Sequence, residues 1–193
     1  SLYKTFSHFY FCVYLRKIII MTKIQKFAMN YGMVLGLLLV SISLLMYATG
    51  IDQKESYLPV FLNSIIPISF ITYSIIQFKN IINSGFISYK ESLKLGTTVA
   101  FFSSIILSFY SYIDMTYIHP EMLIEMIETV KRQMIIDNPE ISDEELDLGL
   151  SIIRKISKPH WLMIIQVLSV TFMGFLYSLV ISIFVKNENK ITN

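Results

Sequence analysis

Residues Phe27 to Gly50, FAMNYGMVLGLLLVSISLLMYATG, carry no charged side chain. At about 1.5 Å of rise per helical residue, such a stretch crosses a hydrocarbon layer about 30 Å thick. Lys23 and Lys26 stand just before it with no acid nearby. That asymmetry sets the expected orientation of everything that follows.

Three further runs have the same character. The second covers 58–78, LPVFLNSIIPISFITYSIIQF, with Pro67 in its middle. Proline removes one backbone donor there and predicts a kink that neighbouring helices make tolerable. The third covers 95–113. The fourth covers 161–185, with Pro159 suited to its first turn and Trp161 to the interfacial belt. Hydrophobic residues make up 54% of the chain and charged residues 16%. A soluble domain usually carries about 25% charged residues, so the composition points to lipid as solvent.

The expected fold class is therefore all-α: a polytopic membrane protein, a four-transmembrane-helix bundle. A helical segment outside the cytoplasm separates spans three and four. Residues 24–186 form the membrane domain, 1–23 an N-terminal extension and 187–193 a cytoplasmic tail. Met21-Thr22-Lys23 reads as a translation start, so residues 1–20 are expected to lie outside the native protein. The rival reading is an amphipathic anchor built on Arg16, Lys17 and the aromatics between Tyr3 and Phe11.

Loop charges favour a cytoplasmic N-terminus. The first loop carries Asp52, Lys54 and Glu55; the second carries Lys79, Lys90, Glu91 and Lys94; the tail carries Lys186, Glu188 and Lys190. The segment from Asp114 to Lys158 holds most of the acids. Both termini are expected in the cytoplasm.

The 114–158 segment reads as a helical hairpin. Leu123, Met126, Ile127, Val130 and Met134 recur at helical spacing, and Asp137-Asn138-Pro139 ends that helix. Ser142 and Glu145 form a capping-box signature for the next, whose stripe is Leu146, Leu150, Ile153 and Ile156. The stripes can pack on each other, lie on the membrane surface, or dock a partner through the adaptable Met122, Met126 and Met134.

Chemistry is scarce. Cys12 is the lone cysteine, and His8, His119 and His160 have no ligand spacing, so no metal site or cofactor is expected. The acidic run around Asp143 lacks the spacing and central glycine of a calcium loop. No nucleophile–base pair or phosphate loop stands out, and no enzyme is expected. No Asp, Glu, Lys, Arg or His falls within the four proposed hydrocarbon segments, which argues against proton-coupled transport. Gly32 and Gly36, in small-xxx-small spacing, are expected to pack helices, within the bundle or in a dimer. Asn63, Thr98 and Ser104 are the candidates for a polar path, should the chain form an oligomeric conduit. Tyr110, Tyr112, Tyr117, Asp114 and His119 gather near one interface.

Residues 85–96 form a short cytoplasmic elbow, with a turn at Asn83-Ser84-Gly85. Phe86 and Tyr89 are expected at headgroup depth, with Phe86 to Glu91 lying along the interface. Lys90 and Lys94 are expected to meet anionic lipid or a partner. The expected partners are the bilayer and other membrane proteins, a second copy included; nucleic acid is not among them.

Asn30-Tyr31-Gly32 with Gly36, Gly85 through Glu91 with Leu93 to Gly96, His119-Pro120-Glu121, and Gly174-Phe175 through Ile183-Phe184 together form a pattern. Over about residues 24–186 it resembles domain-of-unknown-function family 4199. The resemblance implies a four-span protein of the bacterial inner membrane. The family has no assigned activity, so it carries no catalytic residue over.

Overall fold

The computed structural model describes residues 23–49 and 58–187, with side chains from Phe61 onward in the second part. The proposed start at Met21, the first loop and the end of the tail lie outside the described residues. Among the described residues six α-helices follow one another: α1 Lys23–Ala48, α2 Leu58–Gln77, α3 Tyr89–Ile113, α4 Glu121–Asp137, α5 Asp143–Ile156 and α6 Pro159–Val185. A π-helical turn, Phe78–Ile82, extends α2, and another, Asp114–Ile118, extends α3. Four of the helices are long and apolar enough to cross a membrane. The protein is an all-α polytopic membrane bundle, and its outer faces are ringed by exposed Leu, Ile, Val and Phe.

α3 is the centre of the bundle. It packs along α1 on one side and along α6 on the other, while α2 touches all three more sparsely. The reason is a periodicity in small residues. Ser92, Gly96, Ala100, Ser104 and Ser108 recur every fourth residue and are all buried. Gly174, Ser178 and Ser182 do the same on α6. A side chain on Gly174 would collide with Ala100, and one on Gly96 with Ser178. In lipid there is no hydrophobic drive between helices, so close approach and interhelical hydrogen bonds hold them together. Ser182 donates to Ser92 over 2.9 Å, and Ser104 bonds Thr171 over 3.2 Å.

The α1–α3 seam works the same way. A methyl group on Gly32 would sit 2.6 Å from the Val99 carbonyl oxygen and 2.7 Å from Phe102 Cβ. One on Gly36 would sit 2.8 Å from Ile106 Cβ. Both glycines thus face α3 within one chain.

α2 is held differently. At the end where α1 begins, Phe27 stacks on Tyr31 and meets Phe78 edge-on, with ring centres 4.3 and 5.3 Å apart. Tyr31 also approaches Phe70 and Tyr73. This aromatic cluster closes one half of the α1–α2 contact.

The helix of the third span starts ahead of the apolar run at 95–113: α3 begins at Tyr89. Ser88 Oγ accepts from the Glu91 amide, while the Glu91 carboxylate accepts from the Ser88 amide. This capping box satisfies the first free donors, so the helix starts there. Tyr89, Lys90 and Lys94 therefore ride on the first turns of α3. At the other end of that helix the π-helical turn carries the chain on to Ile118, past the expected Ile113.

Candidate functional site

Three places bring polar groups together. The first is the basic end of the bundle, where Lys23, Lys26, Lys79, Lys90, Lys94 and Lys186 gather. Ser84 and Gly85 turn the chain with φ of 51° and 89°. The Gly85 amide donates to the Lys79 carbonyl over 2.8 Å. Ile87 and Asn187 then exchange two backbone hydrogen bonds, each 3.0 Å. Lys79 Nζ donates to the Val185 carbonyl over 3.0 Å, at the negative end of α6. The elbow is thus a clamp on the end of α6. Phe86 is exposed and Tyr89 half-buried; Lys90 and Lys94, one turn apart, are both exposed.

The second place is the opposite end. The π-helical turn puts residues five apart in register, so Asp114 and His119 meet. Asp114 Oδ1 and His119 Nδ1 are 3.0 Å apart. The Tyr47 ring packs edge-on against the imidazole with centres 4.8 Å apart, tying the end of α1 to this turn. The Thr116 hydroxyl is buried nearby in sequence without a hydrogen-bond partner. Tyr117 is largely exposed, while Tyr110 and Tyr112 are half-buried. An imidazole held by a carboxylate can orient and accept a proton. No hydrogen bond joins it to a hydroxyl or thiol among the described residues. His160 stands apart, tilted against Trp161.

The third place is a cavity of about 210 Å³ inside the bundle, walled by all four spanning helices. Leu35, Leu39 and Ile71 supply apolar wall, Ala100 and Gly174 the floor of the α3–α6 seam. Asn63 and Pro67 line it from α2. The candidate path residues do not converge there. Asn63 reaches the cavity, Thr98 lies in a separate shallow groove with Gln25 and Thr171, and Ser104 sits in the α3–α6 seam. Thr98 also donates back to the Lys94 carbonyl over 2.7 Å.

The family described as "Protein of unknown function (DUF4199)" matches residues 30–187, from the first turns of α1 to the clamp at Asn187. The chain belongs to this family. No curated protein and no solved structure matches the chain. The family-4199 fold in this chain thus comprises the four spans, the hairpin and the clamp, and the elbow at 83–88 lies inside it.

The α5 surface departs from the expected stripe: Leu148 and Ile152 stand outside it, and Ile156, expected to pack with Leu146, Leu150 and Ile153, is exposed. Leu148, Ile152 and Ile156 form an i, i+4, i+8 row with exposures of 66%, 59% and 45%. The buried Leu150 and half-buried Leu146 and Ile153 face another way. The signal was present as a second four-residue spacing in the same helix.

Proposed function

We propose that this chain is an interaction subunit of the bacterial inner membrane. Its four spans anchor it, and its α4–α5 hairpin meets a partner protein outside the cytoplasm. The basic end of the bundle then faces the cytoplasm, following the positive-inside rule. The observation that carries the reading is the outward row Leu148, Ile152 and Ile156. The inward stripes of α4 and α5 already cover each other in part. The outward row has no partner among the described residues, and Ile124 and Ile136 add exposed apolar surface on α4, at 62% and 69%. Exposed apolar patches rimmed by charge mark contact surfaces. Asp147, Arg154 and Lys155 supply that rim. The reading assigns no catalytic step.

The test is a photoreactive residue at Leu148 or Ile152 in native membranes, with Asp143, exposed but off that row, as control. A discrete polypeptide adduct from the first two positions and not from the third is expected. Adducts to lipid alone would mean that the row rests on the membrane surface, and would refute the reading.

A further inference from the structure

We propose that the cavity between α2 and α6 binds one acyl chain of a membrane phospholipid. The exposed members of its lining are Asn63 on α2 and Ser169 and Met173 on α6. They mark a mouth between those two helices. Asn63 lies about 8 Å along α2 from Leu58, Ser169 and Met173 about 15 and 21 Å along α6 from Pro159, at 1.5 Å per residue. The mouth is therefore a lateral slot inside the span, open to lipid rather than to water.

The inner wall is mainly apolar; its one serine on α3, Ser103, already donates to the Ala100 carbonyl over 2.9 Å, and the half-buried Tyr177 joins it from α6. A water there would need two to four polar partners; apolar cavities of about 150 Å³ stay dry and take apolar guests. This cavity, at about 210 Å³, is larger. In the bilayer the abundant apolar guest is the acyl chain.

Asn63 and Ser169 put polar groups at the mouth, and Tyr177 lies about 12 Å farther along α6 than Ser169. Pro67 offers no amide to the Asn63 carbonyl four residues earlier, and the Asn63 side chain lies beside it at the mouth. An amide at that depth can donate to a lipid ester carbonyl while the tail enters the wall of Leu35, Leu39 and Ile71. The tail would fill the half of the α2 contact that the aromatic cluster leaves open.

The test uses the full chain in vesicles of phosphatidylethanolamine and phosphatidylglycerol. A trace of phosphatidylethanolamine carries a mid-chain diazirine, and adducts are mapped after irradiation. Adducts on Leu39 and Ile71 are expected beside those on the belt residues Leu168 and Phe184. Ser169→Phe, or Val170→Phe as a second plug, should abolish the first pair and keep the second. Belt adducts alone in the unaltered chain would overturn the proposal, whether or not a plugged variant folds. So would a plugged variant that folds and still labels Leu39 and Ile71. In a Cys12→Ser background, reaction of Ser103→Cys with a charged, membrane-impermeant thiol reagent would show water in the cavity, and would overturn it too. None of these readouts depends on the hairpin having a partner.

Discussion

Replacing Gly32 with alanine should destabilise the bundle through a contact that cannot rotate away. The new methyl carbon would lie 2.6 Å from a backbone oxygen, that of Val99, and 2.7 Å from Phe102 Cβ. Carbon atoms pack at about 3.5–4.0 Å, so α1 must retreat from α3 by about 1 Å. Overpacking of this kind costs about 1–3 kcal/mol. Alanine also brings up to about 1 kcal/mol of helix propensity over glycine, which must be subtracted out.

Gly149→Ala supplies that baseline. Its methyl would meet the Met134 side chain, whose nearest atom is the free terminal methyl of a flexible chain. The difference between Gly32→Ala and Gly149→Ala should therefore be about 1–3 kcal/mol in denaturant titrations of the purified protein in mixed micelles. Gly36→Ala should behave like Gly32→Ala, since its methyl would lie 2.8 Å from Ile106 Cβ. One retreat of α1 relieves both contacts, so the double variant should cost less than the two singles together. The reasoning fails if Gly32→Ala and Gly149→Ala unfold alike. It also fails if Gly32→Ala leaves stability unchanged but shifts a dimer to monomer, because the glycine would then face a second copy.

Ser92→Ala and Ser182→Ala should each weaken the α3–α6 seam, with a coupling of about 0.6 kcal/mol in a double-mutant cycle; zero coupling would remove the 2.9 Å bond from the account. Ser88→Ala should cost about 1 kcal/mol and expose the amides of the first turn of α3 to hydrogen exchange; unchanged protection there would mean that the clamp at Asn187, not the cap, starts the helix. Cysteines placed at Ser142 and Ser88, in a Cys12→Ser background, should differ in intact cells: an impermeant thiol reagent should reach the first and miss the second. The reverse pattern would invert the bundle in the membrane.

The long uncharged runs are legible without coordinates because lipid demands length and the absence of charge, and both are local properties. Helix ends are nearly as local. Ser142 with Glu145 was read as a cap from spacing, and the structure carries that capping box. Ser88 with Glu91 has the same spacing and the same geometry. It sits in a segment that also looks interfacial, with Phe86 and Tyr89 beside it. The apolar run alone therefore does not mark the helix start, which the cap sets two turns earlier.

What the chain alone determines is how many times it crosses the membrane, where its acidic hairpin falls, and which residues are small enough to allow close approach. Partner choice was decided only in three dimensions. Nothing in the spacing of Gly32 and Gly36 says that α3 faces them, or that α3 uses its own four-residue row of small side chains against α6. Nor does sequence place Asn63 at a cavity while sending Thr98 and Ser104 elsewhere. Lipid solvates every apolar helix face almost equally well, so pairing follows from the fit of surfaces, a property of two helices at once.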